Sequence, residues 1–486
     1  MSVIEMKYPK NLRQMRRTKI VCTIGPATSS ASMIEKLAKA GMDCARLNFS
    51  HGTHLEHLQA INLIRKVSKK IGREIAVIQD LPGAKIRVGK LENGSIYLKK
   101  GSFLSLTTQD IVGDEEKIPI RYDDLPRYIN KGSTIFLSDG SIRLKVLEST
   151  TTEIKCKVEI GGGLSSGKGV NIPHFKHHDF ETFTELDKEN LEFGLKNDVD
   201  LIAISFVRRA SDIQDVREFV RRKNNDCAII AKIENEDAVD NIESIIQASD
   251  AIMVARGDLG AEITIEQVPI IQKLIISHCK RMAVPVITAT QMLESMVNNS
   301  SPTIAEVADI ATAINDGTDA VMLSDETTVG KHPVDCVDVL HRVSLTVEEK
   351  MFSNAKHVVN SDFLHEDIRD AVSVAANQIS LDIDSKLVVS PTIAGVMPTK
   401  ISRFRPKATI IALTDNQKTL RKLMMVWGVY PILIKRTQNL TKLLDTSVSM
   451  LFKEKLVKHG DKIVIVCDNV ELSKQMGKLL FVVETR

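Results

Sequence analysis

Two apolar segments in the middle of the chain, CAIIAKIEN (227–235) and AIMVARGDLG (251–260), each end in charged residues. Each segment has the length and composition of a buried strand, which ordinarily excludes charge. The first brings Lys232 and Glu234 to its end, and the second brings Asp258 behind a glycine that opens a helix. A lysine, two carboxylates and a helix start at neighbouring strand ends suit a divalent cation and an anionic, phosphorylated ligand. We therefore expect the chemistry of this protein to lie there.

Short apolar segments alternate with amphipathic stretches in the first and third quarters of the chain, which is typical of consecutive parallel βα units. The eight candidate strands are Lys19–Ile24, Asp43–Phe49, Ile75–Leu81, Leu201–Phe206, Cys227–Ile233, Ala251–Arg256, Pro285–Thr290 and Ala320–Leu323. Eight such units predict an α/β fold with a closed (β/α)8 TIM barrel, whose active site lies at the C-terminal strand ends. The polar residues at or just past most of these ends are Arg46, Asn48, Ser50, Asp80, Ser205, Lys232, Glu234, Asp258 and Thr290.

The alternation is interrupted between the third and fourth candidate strands. From about Val88 to Pro173, polar and apolar residues alternate with period two, and turn signals such as Ser138-Asp139-Gly140 separate the segments. This pattern predicts an all-β lid domain inserted after barrel strand 3. After about Cys336, further strands and helices predict a separate C-terminal α/β domain for regulation or assembly. The expected boundaries are 1–84 and 176–345 for the barrel, 85–175 for the lid and 346–486 for the C-terminal domain.

Composition excludes several classes of protein. Hydrophobic residues at 43% and charged residues at 26% are typical of a globular protein rather than a disordered or fibrous one. One Trp, 4% aromatic residues and a net charge of +3 argue against a nucleic-acid partner. No apolar stretch reaches the roughly 18 residues of a membrane span, and the N-terminus has no apolar leader segment. Seven scattered cysteines without a Cys-x-x-Cys pair predict neither disulfides nor a zinc site, and they favour a reducing cytoplasm.

Five segments, in this order, resemble motifs of the pyruvate kinase family. They are TKIVCTIGP (18–26), ARLNFSHG (45–52), AKIEN (231–235), ARGDLG (255–260) and ATQMLESM (289–296). The resemblance covers nearly the whole chain. It implies transfer of the phosphoryl group of phosphoenolpyruvate to ADP, giving pyruvate and ATP in the final step of glycolysis. It also implies a homotetramer.

The resemblance implies Lys232, Thr290 and Arg46 as catalytic residues. Lys232 is expected beside the phosphoryl group in transit, and Arg46 offers a planar fork to the substrate phosphate. Thr290 is expected to take part in protonating enolpyruvate, although a threonine in a strand is ordinarily only a β-former. The expected substrate-binding residues are Arg46, Ser205, Lys232, Gly257, Asp258 and Thr290. The backbone amides of Gly257 and Asp258 are expected to receive the substrate carboxylate.

Glu234 and Asp258 are the expected ligands of Mg²⁺ or Mn²⁺. Mg²⁺ normally uses one or two carboxylates and completes its shell with water and substrate oxygens. On the residues alone, an ion pair with Lys232 is the alternative interpretation of these two carboxylates.

The nucleotide contacts implied by the resemblance are less direct. They are Asn48, Ser50, His51, Arg87 and Lys168. Lys168 opens the segment KGVNIP (168–173) of the predicted lid, and Asp139 matches a lid residue that approaches the active site on closure. A single histidine in a loop is ordinarily a packing or surface residue, so only the surrounding motif supports His51.

The segment DLPGAKIR (80–87) departs from the family pattern. Many members require K⁺, carry a glutamate at the position of Lys85 and a threonine at the position of Leu81. The corresponding monovalent-cation site would consist of Asn48, Ser50, Asp80 and Leu81, with Lys85 as a charge substitute. A tethered ammonium supplies the charge that K⁺ brings and also repels the ion. We therefore expect that K⁺ is not required.

The C-terminal domain departs further. Members activated by fructose 1,6-bisphosphate hold its phosphates on a Ser/Thr-rich loop and a Gly-rich loop, which here read SPTIAGVMP (390–398) and DNVEL (468–472). Few hydroxyls and two added carboxylates predict no activation by this bisphosphate. In addition, Ile304 replaces a common arginine and Asp325 replaces a common glycine or glutamate. These two changes predict a catalytic rate or assembly that differs from typical members.

Two other functions are compatible with parts of the sequence. One is a catalytically weak paralogue that acts as a metabolite sensor or scaffold, in line with the changes at Ile304 and in the C-terminal domain. The intact set of Lys232, Glu234, Asp258 and Thr290 argues against it. The other is a Mg²⁺-dependent aldolase or carboligase barrel acting on pyruvate or oxaloacetate, which the nucleotide motifs and the β insert disfavour.

Overall fold

The computed structural model describes residues 15–122, 124–138, 140–172, 182–354, 367–435, 439–472 and 475–486. It begins with β1 (Lys19–Thr23), α1 (Ala31–Ala40), β2 (Cys44–Asn48), α2 (His54–Ile71) and β3 (Ala76–Asp80). Helix α2 begins at a capping box, in which the Thr53 hydroxyl accepts the Glu56 amide and the Glu56 carboxylate accepts the Thr53 amide. It ends at Gly72, whose φ of 67° suits a residue without a β-carbon.

A domain built almost entirely of β-strands follows β3. Its elements are β4 (Ser95–Leu98), β5 (Phe103–Thr107), β6 (Lys117–Pro119), α3 (Leu125–Tyr128), β7 (Thr134–Leu137), β8 (Ile142–Ser149), β9 (Glu153–Ile160), β10 (Gly162–Ser165) and β11 (Val170–Asn171). Six strands form one sheet in the order β11-β7-β8-β9-β5-β6, and β10 pairs with β4. Ile154, Cys156 and Val158 of β9 point into the core of this domain, which explains the period-two pattern of the sequence. Asp139 and the predicted boundary at 175/176 lie outside the described residues.

The chain then returns to the barrel. The elements are α4 (Glu185–Lys196), β12 (Leu201–Ile204), α5 (Ala210–Arg222), β13 (Ala228–Ile233), α6 (Glu236–Asp240), α7 (Ile242–Ala248), β14 (Ala251–Ala255), α8 (Arg256–Glu262), α9 (Val268–Met282), β15 (Val286–Ala289), α10 (Ile304–Asp316), β16 (Ala320–Leu323), α11 (Asp325–Thr328) and α12 (Pro333–Asn354). Helix α10 repeats the capping box of α2, with Thr303 and Glu306 as the reciprocal pair.

The barrel closes through parallel pairs in the order β1-β16-β15-β14-β13-β12-β3-β2. Each of the eight predicted strands overlaps one barrel strand. The strands are apolar almost throughout because helices cover their outer face and layered side chains fill the interior. The predicted (β/α)8 barrel with an all-β lid after the third strand is therefore confirmed.

A separate α/β domain completes the fold, as predicted. It consists of α13 (Ile368–Asp382), β17 (Leu387–Pro391), α14 (Val396–Ser402), β18 (Thr409–Thr414), α15 (Gln417–Leu423), β19 (Val429–Leu433), α16 (Leu440–Lys453), β20 (Lys462–Leu472) and β21 (Gln475–Glu484). The sheet order is β19-β18-β17-β20-β21, and only the last pair is antiparallel.

The C-terminal domain packs against the N-terminal end of the barrel. Met424 and Met425 belong to the same apolar cluster as the inward-facing barrel residues. Asp319, directly before β16, accepts the Val286 amide at 3.1 Å and pairs with Arg405 at 3.0 Å. Because this end of the barrel is covered, the opposite, C-terminal strand ends are left for a functional site and for the lid.

Two further findings concern the classes excluded by composition. Within the described part of the chain, no helix combines the length and the apolar character needed to cross a membrane. All seven cysteines lie in described segments, and each is a buried free thiol.

Candidate active site

The Lys232 side chain is the centre of a buried charge cluster at the C-terminal end of β13. Its Nζ atom lies 2.7 Å from Ser205 Oγ, 2.8 Å from Glu234 Oε1 and 3.2 Å from Asp80 Oδ1. Lys232 is only 7% exposed, and Asp80 and Glu234 are more completely buried. Three neighbouring strand ends of the barrel, those of β3, β12 and β13, supply these partners. The parallel topology thus brings together residues that are far apart in sequence.

Arg46 extends the cluster from the adjacent strand β2. Its Nε atom donates to Asp80 Oδ2 at 2.6 Å, and its Nη1 atom donates to Thr23 Oγ1 at 3.0 Å. Asp80 therefore lies between two cations, with one oxygen facing Arg46 and the other facing Lys232. The result is a row of alternating charges across the barrel mouth.

Asp258 closes the cluster on the opposite side. It lies in the first turn of α8, and its Oδ1 atom accepts a 2.6 Å hydrogen bond from Lys85 Nζ. Lys85 follows β3, at the point where the chain leaves for the lid. Glu234, directly after β13, uses its second oxygen to accept the Phe206 amide at 2.7 Å. Both carboxylates predicted as metal ligands are thus present at the site.

Burial and neighbouring charges shift the protonation equilibria in opposite directions. Burial lowers the pKa of Lys232, but Asp80 and Glu234 more than offset this, so its pKa is raised and the ammonium stays charged. Burial raises the pKa values of Asp80 and Asp258, yet the adjacent cations hold both below their ordinary range. For Glu234, burial together with the Asp258 charge outweighs Lys232, and its pKa is raised.

The two carboxylates fit a divalent cation. Burial and then the neighbouring charge of Asp258 raise the pKa of Glu234, and a bound cation would relieve the repulsion between the two carboxylates. In the described segments, no group of three or more His, Cys, Asp or Glu side chains forms a complete metal site. A pair of carboxylates is nevertheless the ordinary protein contribution to a Mg²⁺ site, which leaves other positions for substrate and water oxygens.

Thr290 has a strained backbone at the end of β15. Its φ is +67° and that of Gln291 is +55°, values that residues other than glycine adopt infrequently and that β-branched residues such as threonine adopt least of all. Its Oγ1 atom accepts the Gly257 amide at 2.9 Å and donates to the Ala289 carbonyl at 2.6 Å. Arg256 Nη2 donates to the Thr290 carbonyl at 2.5 Å. Strain that is held in place by several hydrogen bonds is typical of a functional position.

Comparison with known proteins decides the family. The sequence model for "Pyruvate kinase, barrel domain" matches residues 15–337, and that for "Pyruvate kinase, alpha/beta domain" matches residues 370–476. The chain belongs to the pyruvate kinase family. It is therefore a phosphotransferase enzyme.

Individual pyruvate kinases resemble the chain over most of its length. That of Geobacillus stearothermophilus is 44% identical over 93% of this chain and 77% of its own length. That of Thermococcus litoralis is 42% identical over 95% of this chain and 97% of its own length. A crystal structure of a pyruvate kinase from Cryptosporidium parvum superposes with a TM-score of 0.89 at 35% identity, covering 97% of this chain and 96% of that one.

The residues predicted for the nucleotide and the monovalent cation lie in two places. One group is at the barrel mouth beside the charge cluster, and the other is in the connections between barrel and lid. Asn48 pairs in register with Asp80 across β2 and β3, and its side chain accepts the Ser50 amide at 3.1 Å. Leu81, by contrast, is buried in the barrel core at 1% exposure. His51 directly follows Ser50, so this group lies beside the charge cluster. Arg87 and Lys168 lie in the lid connections, where Arg87 Nη1 donates to the Gly167 carbonyl at 3.0 Å.

Ile304 and Asp325, two of the positions at which the sequence is expected to depart from the family pattern, lie near the surface. Ile304 is the first residue of α10 and is 90% exposed. Asp325 begins α11 directly after β16.

The sequence interpretation did not include several residues that support the site. Arg256 binds the Thr290 carbonyl and pairs with Asp309 at 2.5 Å. The sequence pattern could have indicated Arg256, because it is a charged residue at the end of a predicted strand. Asn171 of β11 and Glu262 of α8 form a buried 3.0 Å hydrogen bond between lid and barrel. No sequence signal indicates that contact, because it depends on how the lid is placed.

Replacing Glu262 with Gln should change how stability depends on pH. Burial raises the pKa of Glu262 from 4.5 to about 7, so its stabilising contribution is complete below about pH 4.5 and is lost as pH rises through 7. Gln keeps a neutral side chain at every pH. We expect E262Q to gain about 2 kcal/mol in free energy of unfolding relative to the parent protein between pH 5.5 and pH 8.

Urea unfolding at the two pH values measures this gain. The control is Glu148→Gln, because Glu148 belongs to an exposed ion pair with Lys155 and should show no such gain. An equal stability difference for E262Q at both pH values would show that Glu262 is not held partly protonated.

Proposed function

We propose that this pyruvate kinase transfers the phosphoryl group of phosphoenolpyruvate to ADP at the Lys232 cluster, giving pyruvate and ATP in the final step of glycolysis. The observation that carries the proposal is a charged, buried lysine at the barrel mouth, flanked by the carboxylates of Asp80 and Glu234, with Arg46 paired to the other oxygen of Asp80. A phosphoryl group in transit carries negative charge on its equatorial oxygens, and fixed cations in a low-dielectric site stabilise that charge.

The proposed substrate contacts follow from the positions of these donors. Arg46 and Lys232 bind the phosphoryl group, with Ser205 holding the Lys232 ammonium in place through its 2.7 Å hydrogen bond. Gly257 and Asp258 lie at the start of α8, where backbone amides attract the substrate carboxylate. Since the Gly257 amide already donates to Thr290 Oγ1, substrate binding at this amide must share or displace that bond.

Glu234 and Asp258 are the proposed ligands of Mg²⁺ or Mn²⁺. When bound, the cation supplies further positive charge for the phosphate oxygens. Lys85 neutralises Asp258 in the absence of that charge, as its 2.6 Å contact indicates.

Thr290 is the proposed participant in protonation of the enolate. Its hydroxyl lies between the Gly257 amide and the Ala289 carbonyl, so its proton has a defined direction. The strained φ of Thr290 fixes the position of this hydroxyl relative to α8. Asn48, Ser50 and His51 on the barrel, with Arg87 and Lys168 on the lid connections, are the proposed nucleotide contacts.

We also propose that this enzyme does not require K⁺. Two observations support this: Lys85 brings a positive charge to Asp258, and the side chain of Leu81 is buried and has no oxygen to offer a cation. Of the remaining candidates for a monovalent site, Asp80 is already paired with Arg46 and Lys232, and Asn48 and Ser50 alone bring no charge.

Pyruvate formation from phosphoenolpyruvate and ADP, with Mg²⁺ in potassium-free buffer, tests both proposals. We expect turnover that changes by less than about twofold when KCl replaces a tetramethylammonium salt at constant ionic strength. Lys232→Met should lower turnover by about 10²–10³-fold or more, because it removes charge stabilisation of the transferred group. Lys19→Met is the matched control: Lys19 is also buried but donates to the Val429 carbonyl at the other end of the barrel.

The outcomes separate the proposals. Turnover only after KCl is added would leave the kinase function intact and contradict the role of Lys85. Ligand-dependent stabilisation without any turnover would favour the alternative of a metabolite sensor or scaffold. An equal loss of turnover in the Lys232 and Lys19 variants would show that the substitution impairs folding instead of catalysis.

We further propose that fructose 1,6-bisphosphate does not activate the enzyme. Asp468, at the C-terminal half of β20, pairs with Arg369 at 3.2 Å and Lys478 at 2.5 Å, so two cations of this domain already have a carboxylate partner. Isothermal titration of the full-length protein with the bisphosphate should give no tight binding, and initial rates should be unchanged. Micromolar binding that raises the rate would contradict the proposal.

Assembly and location remain proposals from the family. We propose a homotetramer in the cytoplasm, with no nucleic-acid or membrane partner. We also propose the domain boundaries expected from the sequence, which are 1–84 and 176–345 for the barrel, 85–175 for the lid and 346–486 for the C-terminal domain. Ile304, at 90% exposure, gives the surface of α10 an apolar residue where a charged one is usual, so we propose that subunit contacts or rate differ from those of typical members.

A further inference from the structure

The two chain connections between barrel and lid form a single short ribbon, here called the lid stem and defined as residues 85–88 and 167–172. The Val88 amide donates to the Lys168 carbonyl at 2.9 Å, and the Val170 amide donates to the Ile86 carbonyl at 2.9 Å. The Gly167 amide also donates to the Val88 carbonyl at 3.0 Å. Paired in this way, the two connections form one unit, and the lid sheet continues from it through β11 and β7.

Both chains of the lid stem contact the same face of α8. Lys85 on the outgoing chain donates to Asp258 at 2.6 Å, and Asn171 on the returning chain donates through Nδ2 to Glu262 Oε1 at 3.0 Å. Asp258 and Glu262 are four residues apart, so they lie one above the other on the helix. The lid is therefore attached at two points to the helix that carries a proposed metal ligand.

The two contacts differ in whether a ligand competes for the acceptor carboxylate. The Lys85 contact uses Asp258, a carboxylate that a divalent cation is proposed to take, so it is exposed to competition at each round of binding. The Asn171 contact has no such competitor, and it is buried, with Asn171 at 3% and Glu262 at 8% exposure. Burial raises the pKa of Glu262, and hydrogen bonds from Asn171 and from the Ile172 backbone offset part of that rise. Glu262 thus holds a side chain and a backbone group of the stem.

We propose that the Asn171–Glu262 hydrogen bond is the fixed joint that positions the lid on α8, and that both are positioning residues for nucleotide binding. Arg87 and Lys168, the proposed nucleotide contacts of the lid stem, keep their place relative to Asp258 only while this joint holds. The kinetic part of the proposal rests on the proposed kinase function. The structural part rests on the described contacts alone.

Geometry gives a second reason for the joint to be fixed. The returning chain passes so close to Lys85 that a β-carbon at Gly169 would lie 2.3 Å from Lys85 Cε. A β-carbon at this position would force the end of the Lys85 side chain to move, so Lys85 and the returning chain pack directly on each other. A shift of the returning chain would therefore move Lys85 relative to Asp258.

Exchanging donor and acceptor tests the joint. Asn171→Asp places a second carboxylate against Glu262 and should raise KM for ADP about tenfold, while KM for phosphoenolpyruvate changes less than about twofold. Adding Glu262→Gln re-forms the same bond with reversed direction, because Gln Nε2 can donate to the Asp oxygen. The double variant should return KM for ADP to within about twofold of the parent. A general loss of folding would instead lower the active fraction and leave both KM values unchanged.

Hydrogen exchange of the full-length protein without substrates provides a readout independent of turnover. Amides of the lid stem and of α8 should exchange faster in Asn171→Asp and return to the parent rate in the double variant. Should Asn171→Asp fail to fold, Asn171→Ala removes the donor without adding charge and is compared with the parent in the same two measurements.

Three results would overturn the proposal of a fixed joint. They are a KM for ADP that is not restored in the double variant, an equal rise of KM for ADP and for phosphoenolpyruvate, and unchanged amide hydrogen exchange in the single variants. If the parent protein shows no phosphoenolpyruvate-dependent turnover, the proposed function fails. The exchange measurement then decides the joint alone.

Discussion

The buried ammonium of Lys232 is the interaction on which the rest of the site depends. A lone charge at 7% exposure would cost several kcal/mol, so it requires the flanking carboxylates of Asp80 and Glu234. Asp80 in turn requires Arg46, and Glu234 is left with a raised pKa beside Asp258. Replacing such a network by apolar side chains is often neutral or stabilising for a fold. Its presence at the barrel mouth is therefore explained better by chemistry than by stability.

The barrel topology allows these charged side chains to gather at one end of an otherwise apolar barrel. Parallel strands place their C-terminal ends in one ring, and most strands contribute one or two polar side chains there while most of their remaining residues are apolar. The C-terminal domain covers the opposite end through Met424, Met425 and the Asp319–Arg405 pair. The lid leaves from β3 and returns before α4, so its stem necessarily passes the same mouth. Fold and site are thus consequences of one arrangement.

Sequence patterns predicted a large part of this arrangement. Short apolar segments that alternate with amphipathic stretches identified the eight barrel strands, and the period-two alternation identified the lid, because both patterns reflect burial within one element. The residues Lys232, Glu234, Asp80 and Arg46 were found for the same reason. Their mutual distances follow from strand order, which repeated βα units imply.

Other features could not be predicted, because they depend on contacts between elements. The Lys85–Asp258 and Asn171–Glu262 contacts need the placement of the lid stem on α8. The left-handed φ of Thr290 contradicts the local preference of a β-branched residue, and it persists because Gly257 and Arg256 hold both sides of it. The raised pKa of Glu262 likewise arises from burial that no sequence window shows.

We propose that Glu234 and Asp258, the second of which pairs with Lys85, hold a divalent cation next to the phosphoryl group. Electron paramagnetic resonance of free Mn²⁺, titrated into the protein with phosphoenolpyruvate present, measures this directly. The parent protein should bind one Mn²⁺ per chain, and Glu234→Gln and Asp258→Asn should each weaken binding by at least about tenfold. The surface variant Asp338→Asn, which removes an exposed carboxylate, should not. Unchanged Mn²⁺ affinity in both site variants would contradict the account.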